Sequence, residues 1–144
     1  MLLVSVSGFS LIELMITIAI LGVVASLAAP SFRDLIASQR LRATTSALTE
    51  SIWLARSEAL KRNTPVGFAF TSVSSGWVVM AGTTTLYSQD GFSSVTSGAG
   101  DFQFNAYGRM PATISLQLSV VSAGLYRCLT ASTAGKVTER VGSC

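Results

Sequence analysis

Polar and apolar positions divide this chain into three stretches of different period. From Phe9 to Ala29 the residues are apolar or small, and the one charge is Glu13. A helix of that length spans about 30 Å, the thickness of a bilayer's hydrocarbon core. Pro30 closes the run; a proline removes one backbone hydrogen bond and crowds the preceding turn, so a kink is expected if the helix continues. From Ser31 to Arg62 there is no Gly or Pro, and Leu41, Leu48, Ile52, Ala55 and Ala59 recur on one helical face. The other face carries Arg40, Arg42, Glu50, Arg56, Glu58, Lys61 and Arg62, with Glu58 and Arg62 spaced for an i,i+4 pair. Lys61 and Arg62 suit the negative end of the helix dipole, Asn63 suits a left-handed cap, and Pro65 bars continuation. The pattern predicts one long helix, apolar all round over residues 9–30 and amphipathic over 31–63.

Beyond Pro65 the period shortens. Val66–Thr71, Gly76–Ala81, Thr85–Ser88, Phe102–Tyr107, Ile114–Val121, Leu125–Thr130 and Lys136–Val141 read as strands between Gly/Ser/Thr/Asp clusters. Residues 89–100 are polar and Gly/Ser-rich, and a mobile loop is expected there. Consecutive strands with short turns argue for an antiparallel sheet with one face on the helix stripe. The fold class is α+β: a long N-terminal helix packed against a β-sheet head over residues 64–144. Trp77 is expected in the core between sheet and helix.

Composition narrows the chemistry. The chain has 144 residues, room for one helix and one small domain. The mean hydropathy of +0.55 is inflated by the apolar run, since only one segment is long enough to span a membrane. Lys and Arg number 10 against 7 Asp and Glu, a mild excess that weakly favours anionic partners. There is no histidine and there are two cysteines, so a metal site built on His or Cys is nearly excluded. No cofactor is implied. With no convincing nucleophile–base pair, an enzyme has no support. What remains is Glu13, since a carboxylate within an apolar span is costly and calls for a cationic partner.

The stretch Gly8-Phe9-Ser10-Leu11-Ile12-Glu13 followed by the apolar run resembles the N-terminus of type IV prepilins and type II secretion pseudopilins. The resemblance implies a leader over residues 1–8, which a prepilin peptidase cuts between Gly8 and Phe9, methylating the new N-terminal Phe9. It implies that Glu13, fifth in the mature chain, meets the N-terminal amine of a neighbouring subunit, and that Pro30 belongs to the assembling segment. An ordinary signal peptide cut near Leu27-Ala28-Ala29, or a generic anchor with an incidental Glu13, are the alternatives. The charge within a long run argues against the first. The leader carries no Lys or Arg, so orientation by positive charge would rest on the initiator amine, Arg33 and later residues.

A second resemblance covers essentially the whole chain. Leu54-Ala55-Arg56-Ser57-Glu58-Ala59 through Val66, then Gly76-Trp77-Val78-Val79, is similar to the FimT/GspH family of minor pilins and pseudopilins. It implies a pilin-like fold and a single-pass inner-membrane protein with a periplasmic head. That compartment is oxidising, so Cys128 and Cys144 read as a disulfide worth about 3 kcal/mol in the chain-entropy model. It further implies assembly through the N-terminal helix into a type IV pilus or a type II secretion pseudopilus, supporting filament initiation and protein secretion. The partners are then the prepilin peptidase, other pilins or pseudopilins, and inner-membrane lipid before assembly. Relatives of FimT type often carry Gly-Arg-x-Arg near the C-terminus, in some implicated in DNA uptake. Here the segment is Gly135-Lys136-Val137-Thr138-Glu139-Arg140. Arg127, Lys136, Arg140 and Arg109 are candidate DNA- or anion-binding cations, with Glu139 intruding among them.

Overall fold

A computed structural model describes residues 8–98 and 100–144. Apart from Gly8, the expected leader lies outside the described residues. The chain divides into two compact units, one ending at Leu35 and one comprising Ile36–Cys144. Helix α1 (Leu11–Arg62) contributes to both and keeps its helical assignment through position 30; the Pro30 side chain lies outside the description. Its bounds fall within two residues of the pattern's expectation, which is ordinary fraying.

In the first unit the side chains of α1 from Leu11 to Leu27 are exposed among the described residues. Phe9, Leu11, Ile16 and Leu21 all stand at half exposure or more. By length and composition this part of α1 could cross a membrane. Its hydroxyls fit that setting. Thr17 Oγ1 donates to the Leu14 carbonyl and Ser26 Oγ to the Val23 carbonyl, each at 2.7 Å, so neither depends on water for a partner.

In the second unit the stripe is fully covered. Leu41, Leu48, Ile52, Ala55 and Ala59 are all buried. The gap between Leu41 and Leu48 is filled by Thr44 and Thr45, whose hydroxyls back-bond to the carbonyls of Arg40 and Leu41 at 2.8 and 2.7 Å. The helix closes at Asn63, which adopts the left-handed conformation (φ 51°) that its short polar side chain tolerates.

The head holds two antiparallel four-stranded sheets where the pattern suggested one. The first has the order β3 (Thr84–Gln89), β2 (Gly76–Ala81), β1 (Val66–Ser72), β5 (Phe102–Phe104). The second has the order β4 (Thr96–Ser97), β6 (Ile114–Val120), β7 (Leu125–Ala131), β8 (Val137–Val141). Period-2 alternation sends Val66, Phe68 and Phe70 of β1 and Leu116, Leu118 and Val120 of β6 into one core with the helix stripe. Register places Phe68 opposite Val79 on one side and Phe102 on the other, and the Phe68 and Phe102 rings stack at 4.8 Å. Trp77 is buried, and its indole N–H donates to Ser51 Oγ at 2.9 Å. Ser51 in turn donates to the Ala47 carbonyl, so the one polar atom of the tryptophan is satisfied and β2 is pinned to α1.

Two segments depart from expectation. The strand expected over Phe102–Tyr107 stops at Phe104 because Asn105 opens a turn: its Oδ1 accepts from the N–H groups of Tyr107 and Arg109, both at 3.0 Å. That turn ends the first sheet and returns the chain to the second, which β4 has already joined. Residues 89–100, expected as a mobile loop, contain β4 and the fully buried Val95. Phe92 stacks on Trp77 at 5.9 Å. These two side chains, together with the β4–β6 pairing and the bond from Phe92 N to the Val73 carbonyl at 3.1 Å, hold the segment on the core.

Candidate assembly site and the basic residues of the head

The site begins where the coil of Gly8–Ser10 enters α1. With the helix starting at Leu11, Ser10 occupies the N-cap position and Glu13 lies two residues into the first turn, the S-x-x-E spacing of a capping box. The Ser10 carbonyl accepts the first helical bond, from Leu14 N at 3.1 Å. The positive end of the helix dipole favours a carboxylate at this position. Glu13 is exposed and makes no ion pair among the described residues. Phe9, 73% exposed, precedes it in the coil. The arrangement is an apolar helix, exposed over the described residues of its unit, whose one carboxylate sits in the first turn with no cation beside it among them.

At its other end α1 carries a local ion network. Glu58 accepts from Arg62 Nε at 2.6 Å and from Lys61 Nζ at 3.4 Å. The Arg62 hydrogen bond, with the attraction of Lys61 added, holds the Glu58 carboxyl below its ordinary range against a smaller opposing effect of burial. Lys61 and Arg62 are exposed here, whereas the Glu58 side chain keeps only 14% of its surface.

The cations of the tail fare unequally. Arg127 is ion-paired to Glu139 across the β7–β8 edge, with only 15% of its side chain exposed, so its charge is neutralised locally. Arg140 is exposed and turns its guanidinium to the Ser143 carbonyl at 3.1 Å. Lys136 and Arg109 are both exposed on neighbouring turns, joined by the bond from Met110 N to the Thr133 carbonyl at 2.9 Å. With about 3.3 Å per strand residue, Lys136 and Arg140 stand about 13 Å apart along β8. The four expected cations therefore split into a pair, a neutralised residue and an outlier.

Arg56 is a residue whose role sequence pattern misjudged. Placed with the solvated face, it instead runs beneath Gly135, where an added Cβ would come within 2.6 Å of Arg56 Cδ and 3.0 Å of Nε. Gly135 also has φ +73°, so the β7–β8 turn needs glycine for both space and backbone. Arg56 Nε is buried without a hydrogen-bond partner among the described residues. Trp53, 53% exposed on the same helix, is the second surprise; no spacing rule marks it, because it lies off the stripe.

Cys128 and Cys144 are disulfide-bonded, with Cα atoms 5.0 Å apart. The link folds the last residues over the outer face of the second sheet, where Cys144 N donates to Gln117 Oε1 at 3.2 Å. A cleft of about 650 Å³ opens on the first sheet, lined by Thr71, Ser88, Asp90 and Asp101 among others. Asp101 there accepts from Phe70 N at 3.1 Å.

Comparison with known proteins agrees with this architecture. Two crystal structures of the type IV minor pilin FimU from Pseudomonas aeruginosa (strain PAO1) share the fold. One has a TM-score of 0.61 at 20% identity, covering 72% of this chain and 98% of that one. The other has a TM-score of 0.63 at 19% identity, covering 74% and 96%. No curated protein sequence matches the chain. The prokaryotic N-terminal methylation motif matches residues 3–29. The family of the type II transport protein GspH matches residues 44–135, which is most of the head and the helix stripe beneath it. The chain belongs to the GspH family, as a pilin or pseudopilin with a methylation-type N-terminus.

Proposed function

We propose that this protein is a minor subunit of a type IV pilus or a type II secretion pseudopilus, built into the filament through α1. A prepilin peptidase removes the leader after Gly8 and methylates Phe9. Before assembly the apolar part of α1 lies in inner-membrane lipid with the head on the periplasmic side. During assembly Glu13 meets the N-terminal amine of a neighbouring subunit, and the exposed apolar side chains exchange lipid for protein. Pro30 lies where the lipid-soluble part of the helix ends. The observation that carries the reading is the exposed apolar stretch of α1 bearing one carboxylate with no cation beside it among the described residues. Its role in the filament is to help initiate or extend it, and so to support secretion or pilus formation.

Mass spectrometry of the mature protein tests the processing step. The expected N-terminus is N-methylated Phe9. An N-terminus at Pro30 or Ser31 would instead establish an ordinary signal peptide and sink the reading.

A second reading, a head that captures DNA, is supported by the adjacency of Arg109 and Lys136 and weakened by the pairing of Arg127 with Glu139. It expects salt-dependent, sequence-independent binding of duplex DNA by the full chain, reduced about ten-fold or more by Lys136→Ala with Arg109→Ala. Absence of binding at low salt would remove it.

A further inference from the structure

Arg56 Nε is closed off from solvent without an acceptor among the described residues. Buried donors are nearly always paired, and an exception points to strain, chemistry or an ion that belongs there. Packing accounts for the burial: a Cβ on Gly135 would lie 2.6 Å from Arg56 Cδ, 3.0 Å from Nε and 3.1 Å from Phe104 Cε1. The stem of Arg56 is thus held under the β7–β8 turn, while the residue as a whole stays half-buried. Its two terminal nitrogens are not closed off as Nε is, and the guanidinium makes no ion pair among the described residues. They are donors fixed in place and open to solvent. Two more cations reach this place by independent routes. Lys136 directly follows Gly135, and Arg109 directly follows Gly108, whose own added Cβ would lie 3.0 Å from Leu60 Cγ. Leu60 is one helical turn beyond Arg56, so α1 seats the two turns side by side, and the bond from Met110 N to the Thr133 carbonyl joins them. Within the second unit Glu58 and Glu139 pair with other cations, Asp90 and Asp101 line the cleft, and Glu50 lines a groove with Tyr87. None of them neutralises the three.

We propose that Arg56, Lys136 and Arg109 form a binding site for a dianionic phosphate, taken as the free ion or as a phosphate monoester. A carboxylate has two acceptor oxygens and one charge, which a single guanidinium satisfies. Three cations offered by three elements suit a tetrahedral oxyanion with more oxygens and more charge. The fixed guanidinium supplies paired donors in a planar fork, and Lys136 and Arg109 close on the remaining oxygens from the two turns. Gly135 is then the residue that lets a turn lie on the guanidinium stem and brings Lys136 to it. The site goes beyond the DNA reading, which asks only for loose contacts by exposed cations and whose phosphodiester offers one charge and two open oxygens. It does not depend on that reading.

The test titrates inorganic phosphate into the isotope-labelled full chain in detergent, read by nuclear magnetic resonance at the backbone amides of the two turns and at Arg56 Nε–H. A saturable shift is expected at Arg56, Gly135, Lys136 and Arg109, with sodium chloride at equal ionic strength giving none. Arg56→Lys keeps the charge and loses the planar donors, and should weaken binding about ten-fold. Lys136→Gln and Arg109→Gln lie on exposed turns and should each weaken it about three-fold while near-UV circular dichroism of Trp77 stays unchanged. Should Arg56→Lys unfold the head, these two decide. Glycerol 3-phosphate titrated alongside distinguishes the sources: the tighter of the two ligands names monoester or free ion. No saturable shift, an equal response to chloride, unchanged affinity in the turn variants, or dimethyl phosphate binding as tightly as phosphate overturns the proposal. Duplex DNA bound without these shifts would leave the DNA reading standing and remove this one, and phosphate bound without DNA does the reverse.

Discussion

Helix α1 carries leucines of two kinds. Leu21 in the first unit is 67% exposed, and Leu48 in the second is fully buried, yet both sit in the same regular helix. Backbone hydrogen bonding does not distinguish them; what differs is which surface removes them from water. Leu48 is covered by the sheets of its own chain, so its burial is spent on folding. Leu21 and its neighbours have no cover among the described residues, so on the proposed function their transfer free energy, roughly 25 cal/mol per Å², is left for lipid or another subunit. On the proposed function, one helix thus serves two equilibria, folding in the head and partition between membrane and filament in the anchor.

The sharpest way to break that division is Glu13→Gln. Glutamine keeps the side-chain length and the S-x-x-Q spacing at the helix start while removing the charge. Leaving a buried amine unpaired costs about 3–5 kcal/mol, so filament incorporation should fall more than about 100-fold while membrane insertion and head unfolding stay unchanged. Sheared-filament immunoblots beside membrane fractionation read both; normal incorporation would defeat the role given to Glu13. Next in size is the leucine pair itself. Leu48→Ala should destabilise the head by about 2–5 kcal/mol, and Leu21→Ala should leave head stability unmoved. Urea unfolding of the full chain in detergent, followed by near-UV circular dichroism from the buried Trp77, checks it. Equal effects of the two would erase the contrast. A smaller effect sharpens the head alone: Cys144→Ser should lower its stability by about 3 kcal/mol, an amount that dithiothreitol removes from the unmodified chain and not from the variant.

The tail shows how far side-chain chemistry outruns residue counting. Four cations in the C-terminal half look like a patch in the sequence, and the fold sorts them into a pair, a neutralised residue and an outlier. Arg127 and Glu139 lie well apart in the chain and meet only because β7 and β8 pair in a register that sets Leu129 opposite Glu139 and Arg127 opposite Val141. Lys136 and Arg109 become neighbours through a bond between two turns. Neither relation has a local signature.

What the sequence determined by itself is whatever follows from neighbours within a turn or two. The apolar run with Glu13, the stripe from Leu41 to Ala59, the Asn63 cap, the Glu58–Arg62 pair and most strands are set by helical and strand periods and by backbone chemistry. What only the tertiary structure decided is the division into two sheets, the docking of Phe92 and Val95, the anchoring of Trp77 to Ser51, and the orphaned Arg56 beneath Gly135. Each of these depends on register and turn geometry across long stretches of chain. A shift of one residue in a strand would turn its other face to the core, and no local pattern records which partner a strand will find.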